Sequence, residues 1–70
     1  MEFKKGVYKH YKGKKYMLID VALHSETLEE MVVYRAMYDD EKMWVRPAYM
    51  WHEEVDVDGA RVPRFEYVGE

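Results

Sequence analysis

The sequence contains no cysteine. Disulfide staples, cysteine-based zinc sites and thiol chemistry are therefore excluded. It also lacks any apolar run near the roughly eighteen residues that a membrane helix needs. The opening Met1-Glu2-Phe3-Lys4-Lys5 has no apolar stretch of the secretory kind. Proline and glycine are scarce, at two and four residues, and no linker, repeat or low-complexity tract interrupts the chain. Residues 1–70 are thus expected to form one domain of a cytoplasmic protein with no membrane association and no cofactor. A core this small leaves no room for a deep pocket, which argues against a self-contained enzyme.

The 14 acidic and 11 basic residues leave a formal charge of -3, unevenly spread. Residues 1–16 carry six lysines against one glutamate, and residues 17–41 carry Arg35 alone against seven acids. With no linker, this asymmetry belongs to one folded unit.

The apolar pattern predicts strands. Val7-Tyr8-Lys9-His10-Tyr11 is rich in β-formers and stops at Lys12-Gly13-Lys14, where Gly13 can take a positive φ. Tyr16 to Leu23 alternates, Met31 to Tyr38 is a third run, and Met43 to Val45 a fourth that ends at Arg46-Pro47. Ala48 to Glu54 reads as a turn or one helical turn, and Asp58-Gly59 is a strong hairpin signal.

A two-residue turn at Asp58-Gly59 sets Val57 opposite Ala60, Asp56 opposite Arg61 and Val55 opposite Val62, all favourable pairs. A turn over Asp39–Lys42 would set Tyr38 against Met43 and Ala36 against Val45. Pairing Leu23 with Val32 then aligns Val21 with Tyr34 and Ile19 with Ala36. One face becomes Met17, Ile19, Val21, Leu23, Val32, Tyr34, Ala36, Tyr38, Met43 and Val45, with no charge on it. A slip of one residue would undo that agreement. The expected fold is all-β, a small SH3-like antiparallel barrel of about five strands with a short helical turn after Pro47. The alternative is an α+β fold with a helix over 25–38, because Thr27 to Glu30 matches a capping box.

In that register the second face brings Asp20, Arg35 and Arg46 into one row beside Trp44. Two guanidiniums sharing one carboxylate leave a surplus cation with an aromatic wall, suited to a carboxylate or phosphate. Tyr49 and Trp51 lie just beyond Pro47 and could line a groove. Asp20, Arg35, Trp44, Arg46, Tyr49 and Trp51 are therefore the candidate binding residues, for a protein, peptide or anionic ligand. The lysine-rich hairpin offers a second interface: Tyr8, Lys9, Tyr11, Lys12, Lys14 and Lys15 interleave cations and rings as single-stranded nucleic acid requires.

Catalytic and metal readings are weaker. His24-Ser25-Glu26 are adjacent, so in an extended chain their side chains alternate in direction and cannot form a relay. His10, His24 and His52 lack any short ligand spacing, so no metal site is expected.

Gly6-Val7-Tyr8-Lys9-His10-Tyr11-Lys12-Gly13, His24 to Glu29, Val32 to Tyr38, Trp44-Val45-Arg46-Pro47 and Val62-Pro63-Arg64-Phe65 stand in the order of a known small bacterial family. The chain resembles that family, a domain of unknown function numbered sixteen-fifty-three in its series, over about residues 5–68. Trp51 departs from the phenylalanine expected after Met50. The resemblance implies a short, β-rich cytoplasmic domain and no activity. Function is therefore expected to be that of a non-catalytic binding module.

Overall fold

The computed structural model describes residues 3–69. Seven strands and one helical turn follow in order: β1 (Gly6–His10), β2 (Lys15–Leu23), β3 (Glu30–Ala36), β4 (Met43–Pro47), α1 (Ala48–Trp51), β5 (Glu54–Val57), β6 (Ala60–Pro63) and β7 (Phe65–Gly69). Five of them form an antiparallel sheet in the order β4-β3-β2-β1-β7, and β5 pairs with β6 alone. The fold is mainly β with a short helical turn after Pro47, as expected. The ladder does not close into a ring: β4 and β7 are its two open edges among the described residues.

The residues proposed for an alternative helix, 25–38, form the turn after β2 and the strand β3 instead. Val32-Val33-Tyr34 favour the pleated, half-buried surface of a strand, and the turn before them is capped by a histidine. His24 Nδ1 accepts from the amides of Glu26 and Thr27 at 3.2 and 3.4 Å. Leu28 takes a φ of 63° to close the turn.

Two registers differ from the sequence expectation. β2 carries a bulge between Leu18 and Asp20: Leu18 faces Tyr34, yet Asp20 faces Val33 and Val21 faces Val32. The extra residue reverses the strand's alternation midway. Tyr16 and Leu18 therefore join the inner face, where Met17 and Ile19 were expected. Leu18 is 1% exposed, against 36% for Ile19. The connection to β4 is also longer than a tight turn. Asp39 and Glu41 both take positive φ, and the Ala36 amide donates to the Lys42 carbonyl at 3.0 Å. Val33 consequently faces Val45, and Tyr34 faces Trp44. This is an odd slip of three residues, so β4 presents its other face to the core, and Met43 and Val45 are exposed.

Beyond β4, α1 lays Ala48 and Trp51, three residues apart on one side of the helix, onto the inner face. Trp51 stacks on Phe65 with ring centroids 3.9 Å apart and 3° between planes. Tyr8, Leu18, Val32 and Tyr34 complete the core. The Asp58-Gly59 hairpin has the expected register. Both turn residues take positive φ, 51° and 85°, which an Asp-Gly pair tolerates. Backbone bonds from Arg64 to Glu53 and from Tyr11 to Arg64, at 2.8 and 3.0 Å, tie this hairpin to β1.

Candidate functional site

The six residues first singled out are not one site. Arg35 faces Met17 and Met43 on the outer face, whereas Arg46 faces Val32 across from β3 and so belongs to the inner face. Asp20 also points outward, and its carboxylate lies 3.8 Å from Lys5. The row of Asp20, Arg35 and Arg46 therefore does not form: Asp20 faces Val33 and not Arg35, and the longer connection before β4 puts Arg46 on the other face. Trp51 is 1% exposed and serves the core, while Tyr49 is 65% exposed on the far side of α1. Trp44 and Arg46 remain together, two residues apart on the inner side of β4.

The lysine hairpin also divides. Tyr8 is buried and its hydroxyl donates to the Lys4 carbonyl at 2.7 Å, so it cannot stack on a base. Lys9 and Lys15 face each other on the outer side. Tyr11 is exposed, with the Lys12 ammonium 5.9 Å from its ring centre. Lys14 instead lies 4.5 Å from the Tyr38 ring centre.

What the inner face gathers around Arg46 was not foreseen. Arg46 leans across β3, its Nε donating to the Tyr34 hydroxyl at 3.4 Å and its guanidinium carbon 5.5 Å above the Phe65 ring. Tyr34 and Phe65 both pack on Tyr16, at 5.5 and 5.7 Å between ring centres. The Tyr16 hydroxyl is hydrogen-bonded to that of Tyr38. His10 stands edge-on to Phe65 at 5.0 Å, and its Nδ1 accepts the Lys12 amide at 3.2 Å. In the neutral ring that leaves Nε2 as the N–H donor.

The electrostatics run in one direction. Burial lowers the His10 pKa, and the positive charges of Arg64, Arg46 and Lys12 lower it further. Burial, with help from the Tyr38 hydrogen bond, pushes Tyr16 up to about 12, so its hydroxyl keeps its proton at neutral pH. Arg64 is engaged by Glu53 at 3.4 Å, but no described carboxylate lies within 4 Å of Arg46. The cluster therefore offers a guanidinium and an imidazole N–H as donors, beside phenolic hydroxyls that accept from Arg46 or bond to each other, all set in apolar surroundings. It contains no base paired with a nucleophile. Among the described residues no three His, Asp or Glu side chains come together as a metal site would need. No helix among them is long and apolar enough to cross a membrane.

Sequence reasoning missed His10, Tyr16, Tyr34, Tyr38 and Phe65 as site residues because the register errors set Tyr16 and Arg46 on the face opposite Tyr34 and Tyr38, and no register was drawn for β1 or β7, which carry His10 and Phe65. The available signal was the set of aromatic residues at even spacing, Tyr8 with His10 and Tyr34 with Tyr38, which marks one face of a strand.

The chain is similar to a protein of known structure. One match is a crystal structure of a protein of the same family from Bordetella bronchiseptica, with 41% identity and a TM-score of 0.89. The match covers 97% of this chain and 90% of that one. No curated protein matches. The family model described as "Protein of unknown function (DUF1653)" matches residues 6–67, so the chain belongs to the DUF1653 family.

Proposed function

We propose that this protein is a non-catalytic binding module that captures an anionic group, a carboxylate or phosphate, at Arg46. The observation that carries this reading is the convergence of donors with no described carboxylate to neutralise them. Held on apolar rings, a guanidinium makes stronger charge-assisted hydrogen bonds than it does in open water. The partner would be a protein, peptide or small anion, and Trp44, 51% exposed beside Arg46, supplies an apolar wall for it. On this reading the sheet, its aromatic core, the helical turn and the added hairpin would serve as an SH3-like scaffold, a type that hosts many binding functions. The family resemblance supports a bacterial, cytoplasmic setting.

Titration of the isotope-labelled protein with sodium acetate and with inorganic phosphate tests the reading. Either anion should shift the Arg46 side-chain and His10 ring signals and raise the His10 pKa, because a nearby negative charge favours imidazolium. Arg46→Lys should keep the fold and weaken this response, since lysine lacks the planar fork. No response to either anion would sink the proposal.

Single-stranded nucleic acid on the β1–β2 hairpin is a second reading, favoured by the exposed Tyr11 amid exposed Lys9, Lys12, Lys14 and Lys15. It offers only one stackable ring, and is correspondingly weaker.

A further inference from the structure

β4 is an edge strand whose outward backbone is identifiable. The Ala36 amide donates to Lys42, which makes that pair hydrogen-bonded. Alternation along the ladder then turns the N–H and C=O groups of Trp44 and Arg46 toward β3, and those of Met43 and Val45 away from the sheet. Pro47, which has no N–H, falls at another outward position and disturbs nothing in the ladder. Edges of this kind are usually blocked by lysine, proline or a covering element. Here Pro47 blocks one outward position, and Met43, Trp44 and Val45 before it are 54%, 51% and 61% exposed.

The two ends of this edge carry opposite charge. Arg46 lies at one end. At the other, a shallow hollow of about 180 Å³ is lined by Tyr38, Asp39, Asp40, Glu41, Lys42 and Trp44, three carboxylates against one ammonium. Of its carboxylates, Asp40 is paired with Lys42 at 3.9 Å. A strand running antiparallel to β4 would lay its N-terminal part beside Arg46 and its C-terminal part beside the acidic hollow.

Resting on the reading of Arg46 as an anion site, we propose that the anionic group arrives as a carboxylate side chain on an extended peptide that adds to β4 as an antiparallel strand, with an acidic residue toward its N-terminal end and a basic residue toward its C-terminal end. Opposite Val45 the peptide exchanges backbone hydrogen bonds. The preceding residue faces Arg46 in the closer, non-hydrogen-bonded kind of pair and presents the acid on the inner face. Two positions beyond that acid, an apolar residue covers Trp44, and two further on a lysine reaches the hollow. Main-chain pairing supplies affinity and the alternate side chains supply selectivity. A second copy of this chain is the poorer occupant: a five-residue strand alone covers far less than the roughly 800 Å² per partner of a stable interface.

The test uses the capped hexapeptide acetyl-Thr-Glu-Val-Leu-Val-Lys-amide and the labelled full chain. The Met43 and Val45 amides should gain protection from hydrogen exchange, and the Arg46 side chain should shift. Replacing the glutamate by glutamine, or exchanging the glutamate and lysine positions, should weaken binding by at least about tenfold, the loss expected for a charge-assisted contact. Val45→Pro should abolish peptide binding while leaving aromatic core shifts and the response to acetate intact, because it removes only an outward N–H. If acetate or phosphate engages Arg46 but the peptide leaves the Met43 and Val45 amides unprotected, strand addition is wrong and the anion site stands. If the charge-exchanged peptide binds equally well, the assigned direction is wrong and the proposal falls. If neither small anion nor peptide perturbs Arg46, both readings fall together.

Discussion

The two faces of the five-stranded sheet are both rich in apolar residues, yet they behave differently. The inner face carries Tyr8, Leu18, Val32, Tyr34 and Phe65, closed over by Trp51 from α1, and it is buried. The outer face carries Val7, Met17, Met31, Val33, Met43 and Val45, interleaved with Lys9, Lys15, Asp20 and Arg35, and none of these is fully buried. What separates the faces is the kind of side chain. Rings are large and stiff, and they tile through edge-to-face and stacked contacts, so a few of them close a small core. Methionines and valines beside charged stems leave a surface that water still reaches. In a chain this short, aromatic content shows better than hydrophobicity where stability resides.

The contrast can be broken most directly at its extremes. Trp51→Ala should cost about 3–5 kcal/mol, because it empties the centre of the inner face. Met43→Ala, on the exposed outer side, should cost less than about 1 kcal/mol. Denaturant melts of the two variants decide the matter, and comparable losses would place the core on both faces. The next effect lies off the sheet altogether. Gly59→Val should destabilise by about 1–3 kcal/mol, since a β-branched residue resists the positive φ there. Ala22→Ser, exposed on the outer side of β2, should stay within about 0.5 kcal/mol. Equal midpoints would show that the β5–β6 turn contributes nothing.

A smaller effect sharpens the contrast through pH. His10 has a folded pKa below the ordinary 6.5, so between those two values the unfolded chain binds more protons than the folded one. Its stabilising contribution is complete above the ordinary value and is lost as pH falls through that window. Thermal midpoints of the native chain and of His10→Phe, compared at about pH 7.5 and about pH 5, should show a shallower decline in the variant. The smallest stability effect is expected on the outer and hairpin lysines. Lys9→Glu/Lys12→Glu/Lys14→Glu should leave the melting midpoint nearly unchanged but abolish any salt-sensitive binding of labelled single-stranded DNA or RNA. Tight binding that survives high salt would contradict the charge-based reading of the hairpin.

Much of the fold was legible in local chemistry. Asp58-Gly59 gave its own register because an Asp-Gly turn admits few geometries, and Pro47 marked the passage from strand to helical turn. β3 was legible as a strand from Val32-Val33-Tyr34 despite a competing capping pattern. The candidate site was much less so. Arg46 and Trp44 stood out by chemical type, but their neighbours were misassigned at two places where the chain carries extra residues. Ile19 in the bulge has nothing to distinguish it from a regular strand residue. Asp39 tolerates left-handed backbone without demanding it, and Glu41 is not a residue from which it is readily inferred. Since both sides of β2 are apolar, hydrophobic alternation could not tell which parity was native. Contacts between strands settle that choice, and one strand's sequence does not contain them.

The bulge in β2 has a consequence for how such a chain can change over time. It acts as a phase shifter, so Tyr16 and Leu18 on one side and Val21 on the other can face the same core although their spacing is odd. Substitutions on either side leave that phase untouched, and the strand can drift in composition while its architecture persists. Loss of the extra residue would leave a regular strand with Leu18 and Val21 still on one face, whereas gain of a further one would turn half the strand over, exchanging Tyr16 and Leu18 for Lys15 and Met17 at the core. Divergence that preserves this fold should therefore proceed in β2 by replacement or by loss of the bulge, with insertions confined to the connecting loops.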